Sequence, residues 1–152
     1  MSIRQTLKWA GIGAVVALLA IQLVPVDRTN PPVESEVPAP PEVREVLRRA
    51  CYDCHSNESV WPWYSRVAPV SWLVARDVQK GREELNFSTW NRLSTKDQVE
   101  KMKESWEEVE ESEMPPWFYL PAHRDARLTD RDRALLREWA KSPASGRESS
   151  DP

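Results

Sequence analysis

The sequence predicts an all-α protein: a small helical domain carried behind an N-terminal membrane helix and a proline-rich linker. Three observations predict it. Apolar residues recur at three- and four-residue spacing in several separate stretches, and no stretch alternates convincingly at the strand period. An apolar run extends from Trp9 to Val24, broken only by Gln22. The chain holds 13 prolines against 4 glycines, and the prolines crowd towards the N-terminal side.

Residues 1–24 read as a membrane anchor or signal segment. Arg4 and Lys8 precede the apolar run. Its sixteen residues are slightly short of the ~20 that a spanning helix needs, and Leu7 and its neighbours extend it. A small-x-small cleavage site is missing, because Leu18 stands two residues before Ala20, so an uncleaved anchor is favoured over a signal peptide. Positive charge before the span keeps the N-terminus in the cytoplasm. The remaining domain is therefore expected on the non-cytoplasmic side, which for a protein of the bacterial inner membrane is the periplasm. Setting aside the two charges of Arg4 and Lys8 takes the formal net charge from −3 to −5 for the rest.

Residues 25–41 read as a linker. Pro25, Pro31, Pro32, Pro38 and Pro40 make it extended and semi-rigid, suited to hold a domain off the bilayer. Residues 42–141 form the domain. Pro41 suits the first position of a helix, and Val43, Val46, Leu47 and Ala50 give that helix an apolar face. A loop follows from Ser56 to Ala68. A second helix starts near Pro69 and runs to Gly81, and Ser88 could cap a short turn holding Trp90. Thr95 and Gln98 have the spacing of a capping box; Val99, Met102, Trp106 and Val109 then follow at helical spacing. Thr129 caps the last helix, whose acidic first turn suits the helix dipole. The apolar faces of the first and last domain helices are expected to pack on each other. Residues 142–152 form a polar tail, expected to be disordered.

The chemistry concentrates in Cys51-Tyr52-Asp53-Cys54-His55, a C-x-x-C-H motif whose spacing reads as a c-type haem attachment site. Two thiols would add to the two vinyl groups of one covalent haem, and His55 would be the proximal ligand of its iron. A redox dithiol usually sits near a βαβ pattern, and none is visible. A zinc site needs four ligands, and the candidates are Cys51, Cys54, His55 and His123, of which Cys54 and His55 are adjacent. Both cysteines belong to the motif, so no disulfide framework is available.

A ligand opposite His55 could be Met114, His123 or Met102. Met102 falls on an apolar helix face, where packing is its simplest role. Met114 lies about 60 residues after the motif, in a Met-Pro turn whose extended backbone frees the thioether to turn inward. Trp117, Phe118 and Tyr119 follow and could wall off the pocket. His123 is the alternative, and an open site the third possibility. Haem propionates need donors when partly buried, and Trp61, Trp63, Arg66 and Arg82 are the candidates, set against a core role for the tryptophans and solvation for the arginines. Eight tryptophans are many for 152 residues and suggest large flat surfaces to be covered. The acidic balance argues against a nucleic-acid partner.

Residues about 42 to 140 resemble the bacterial haem-binding domain family, membrane-anchored proteins with one C-x-x-C-H motif. The resemblance rests on Cys51 to Asn57, Pro62-Trp63-Tyr64, Pro69-Val70-Ser71-Trp72, Leu85-Asn86-Phe87-Ser88, Glu113-Met114-Pro115 and His123 to Thr129. It implies a small cytochrome-c-like fold and haem binding. The placement of Met114 is similar to that of the methionine ligand in small class I cytochromes c. Many relatives carry a histidine where this chain has Asp77, so a histidine role there does not carry over. The reading is an electron-transfer protein working with an unidentified redox partner protein. The alternative is a haem-based redox or small-ligand sensor with a labile sixth ligand. An enzyme is not expected, since no base, nucleophile or second metal cluster stands out.

Overall fold

The computed structural model describes residues 2–142. Of the tail expected over 142–152, all but Ser142 lies outside the described residues. Among the described residues there are six α-helices and no strand.

Helix α1 spans Ile3–Ala20, starts with a Ser2–Gln5 capping box and continues as a 3-10 turn over Ile21–Leu23. The 21 residues Ile3–Leu23 are long and apolar enough to cross a membrane, and none of them is buried.

The domain is built from α2 (Pro41–Ala50), α3 (Tyr52–His55), α4 (Val70–Glu84), α5 (Thr95–Glu110) and α6 (Asp130–Lys141), with short 3-10 turns between them. Pro41 opens α2, and the helix buries Val43, Val46, Leu47 and Ala50, one face at helical spacing. This face packs on Leu136 and Trp139 of α6, as the periodicity predicts. Arg49 of α2 fastens the pair through Asp132 of α6 at 2.6 Å. The core continues through Tyr52, Phe87 and Trp90, whose rings stack in sequence, and closes on Met102 and Val109 of α5. Met102 is therefore a core residue.

Three local readings shift. Helix α4 runs three residues past Gly81, to Glu84. Helix α5 is capped by Ser94, whose hydroxyl accepts from the Asp97 N–H. Gln98 does not complete a box with Thr95: its amide donates to the Trp90 and Leu93 carbonyls instead. Asn86, not Ser88, caps the turn over Phe87–Arg92.

The proline-rich stretch carries no helix, yet it is more than a spacer. Val37 is 1% exposed and belongs to the core. The Glu34 and Ser35 N–H groups donate to the Ser88 carbonyl, and the Asn57 amide donates to the Pro32 carbonyl. The stretch is a strap laid across the domain, because its sparse apolar residues and free backbone groups find partners there.

Candidate functional site

Helix α2 ends at Ala50 and the chain turns at once into the single turn of α3, so the C-x-x-C-H motif sits on a rigid lead. Helix α4 lies against this turn. A Cβ at Gly81 would stand 2.7 Å from the Cys54 carbonyl oxygen, so the contact requires glycine. The motif opens onto a cavity of about 1000 Å³.

Cys51, Cys54 and His55 all line that cavity. His55 Nδ1 lies 3.1 Å from the Leu85 carbonyl oxygen, which accepts only if Nδ1 carries the proton. Nε2 is then the unprotonated nitrogen available to a metal. Burial lowers the His55 pKa, against hydrogen bonds to the Leu85 and Gly81 carbonyls that raise it. The ring is held neutral, as a metal ligand must be. The two thiols are not bonded to each other. Burial pushes Cys51 up to about 12 and Cys54 up to about 11, so both are protonated at neutral pH.

Met114 and His123 both line the same cavity. Helix α5 ends at Glu110, and Ser112 adopts a φ of 64°, the left-handed conformation that reverses the chain. The Glu113 and Met114 N–H groups then both donate to the Glu108 carbonyl, which folds Met114 back towards the core. His123 is occupied on both sides. Its Nδ1 lies 3.1 Å from the Tyr119 carbonyl oxygen and its Nε2 lies 3.3 Å from the Tyr64 hydroxyl. Its ring also stacks on Tyr119 at 3.7 Å between centroids. Tyr119 in turn donates to Asp53 of the motif at 2.6 Å, and burial, then that bond, push its pKa up. Asp53, Tyr64, Tyr119 and His123 thus form a connected polar wall that the linear motifs do not reveal.

The structure divides the proposed propionate donors. Trp61 lines the cavity, but its indole N–H donates to Asn30 at 3.2 Å. Trp63 and Arg66 are exposed and lie outside the cavity wall. Adjacency to the motif misplaces them, because the 3-10 turn Trp63–Arg66 buries Ser65 and faces Tyr64 to the cavity, leaving the side chains at its two ends exposed. Arg82 donates to the Ser56 and Thr29 carbonyls, to Asn30 and to Ser59, tying the strap to the motif loop. The Lys and Arg side chains on the wall are Arg76, Lys80 and Lys101. Phe118 and Tyr119 line the cavity as expected, whereas Trp117 points away and is 80% exposed.

The chemistry of this donor set fits a haem: a neutral imidazole with a free Nε2, two enclosed thiols beside it and a thioether on the same cavity. Trp139 adds a second sign. It lines the cavity, and its buried indole N–H meets no acceptor in the protein.

A helical domain with this cavity and this donor set is a haem-binding protein. The family model described as "Haem-binding domain" matches residues 16–142, most of the chain, and the chain belongs to that family. The match takes in the strap and the end of α1 as well as the helices of the domain. No curated protein and no solved structure matches the chain.

Proposed function

We propose that this is a membrane-anchored c-type haem protein that transfers electrons on the periplasmic side. The observation that carries the reading is the His55–Leu85 hydrogen bond. It commits Nδ1 and leaves Nε2 for iron, beside two thiols enclosed in the same cavity. Cys51 and Cys54 would hold the haem as thioethers, and His55 and Met114 would be the protein ligands of its iron. A bound haem supplies one-electron chemistry. The chain's own part is to exclude water and fix the ligands: Leu85 orients His55, and the Ser112 turn presents Met114.

The domain acts as a carrier rather than an enzyme. His123, the histidine that could serve as a distal acid–base group, has both of its nitrogens engaged by Tyr119 and Tyr64. Anchoring rests on α1, and the side of the membrane on Arg4 and Lys8 ahead of the span.

The test is made on full chain produced with a haem-attachment system. Mass spectrometry of the denatured protein is expected to show one haem added, and voltammetry a reversible one-electron wave. A bare polypeptide mass overturns covalent attachment. Immediate carbon monoxide uptake without such a wave turns the reading to a ligand sensor.

A further inference from the structure

We propose that the haem domain lies face-down on the bilayer, with the loop from Trp63 to Pro69 and the first turn of α4, through Trp72, seated among the lipid headgroups. The proposal rests on the reading of α1 as a membrane-spanning helix. It begins from Gln22, the one polar side chain in the apolar run from Trp9 to Val24. Left in a lipid environment, its amide would cost free energy unless paired. Both ends of it pair with a single residue of the haem domain, and Nε2 also donates to the Leu18 carbonyl of its own helix at 3.0 Å. Nε2 donates to the Ala68 carbonyl at 3.1 Å, and Oε1 accepts from the Ala68 N–H at 2.9 Å. Arg28 adds a third tie, donating to the Ser65 carbonyl at 3.2 Å. The loop is therefore held at the level of the last turn of the span.

What the loop exposes at that level suits a lipid surface. Trp63 is 77% exposed, Val67 45% and Trp72 37%, and none of the three lines the haem cavity. Leu23 and Val24, just beyond α1, are exposed apolar residues as well. Tryptophan is the side chain most at home at the headgroup level, with an apolar body and one polar edge. The charge agrees. From Val60 to Ala75 the chain has no acidic residue and a single charge, the exposed Arg66, although the whole protein is net negative at −3; Arg76 beyond it is paired with Asp77 at 3.2 Å. An exposed arginine with no carboxylate beside it in sequence is drawn to anionic headgroups. Trp63 and Arg66, misplaced by a reading that assigns them to the haem, take their place here.

The experiment uses the full haem-loaded chain in vesicles of phosphatidylethanolamine and phosphatidylglycerol. Photoreactive p-benzoyl-phenylalanine replaces Trp63 in one protein and Val16, in the middle of α1, in another. Lipid adducts at both positions are expected after irradiation. A lipid adduct at 16 without one at 63 overturns the proposal while the anchor stands. No adduct at either position removes the anchor, and the proposal with it. Cross-linking of position 63 to a second copy of the chain also overturns it, making the loop a self-association surface. Combining Gln22→Ala with the probe at 63 is expected to lower the lipid yield at least severalfold relative to position 16. An unchanged yield shows that Gln22 does not hold the loop to the membrane and overturns the clamp.

Discussion

Gly81 of α4 and Cys54 of the haem motif touch backbone to backbone: a Cβ at Gly81 would fall 2.7 Å from the Cys54 carbonyl oxygen and 3.1 Å from its Cβ. No flexible side chain is present to give way. The contact sets how closely α4, which also carries the Gly81 carbonyl facing His55, approaches the motif.

Gly81→Ala tests that contact by the sign of its effect. In an ordinary helix interior the change would stabilise by about 0.5–1 kcal/mol. Here the overpacking is expected to cost about 1–3 kcal/mol. Thermal unfolding of the haem-loaded protein should show a lowered midpoint, together with a smaller fraction of chains carrying haem. A raised midpoint would mean that α4 shifts freely and that the contact constrains nothing.

The sixth ligand is tested by a pair of variants. Met114→Ala is expected to abolish the long-wavelength methionine–iron charge-transfer band, lower the midpoint potential and open the iron to cyanide. His123→Ala should leave the band in place, since its nitrogens serve Tyr119 and Tyr64. A spectrum altered by His123→Ala and untouched by Met114→Ala would make His123 the ligand.

Asp132 provides the pH-dependent clasp between α2 and α6. Burial raises its pKa, but the hydrogen bond from Arg49, those from the Thr129 N–H and hydroxyl, and the Arg49 charge together hold it below its ordinary value of 3.8. Its contribution is full above that value and disappears as pH falls through the lower folded-state value. Asp132→Ala is expected to cost about 2–3 kcal/mol at neutral pH. Urea unfolding should show the gap from the parent protein narrowing in strong acid. A gap of the same size at low pH would mean that packing, not charge, makes the contribution.

Different parts of this molecule were legible to different degrees. The faces of α2 and α6 read directly, because Val43, Val46, Leu47, Ala50, Leu136 and Trp139 repeat at the helical period and bury together. The spacing of Cys51, Cys54 and His55 pointed to one shared site, and all three line one cavity. The partner of His55 was not legible, because a main-chain carbonyl such as that of Leu85 has no signature in the side-chain sequence. Trp63 and Arg66 were drawn to the haem by nearness along the chain, while the 3-10 turn aims them elsewhere. The wall of Asp53, Tyr64, Tyr119 and His123 joins three distant segments; Tyr119 and His123 were placed at the pocket from the sequence, but the hydrogen bonds that link them to Asp53 and Tyr64 have no linear signature.

The strap between α1 and α2 carries a consequence for how this chain can vary. An ordinary linker drifts in length at little cost, about 0.6 kcal/mol for each doubling. Here Asn30 bonds the Ser59 carbonyl, Pro32 receives the Asn57 amide, Glu34 and Ser35 reach Ser88, and Val37 fills the core. Each attachment falls within a few residues of the next, so an inserted or deleted residue between Asn30 and Val37 breaks the register of the remainder. The segment that looks most like filler is as fixed in length as a strand in a sheet, and a shortened chain begun at Pro41 would start with its core already open.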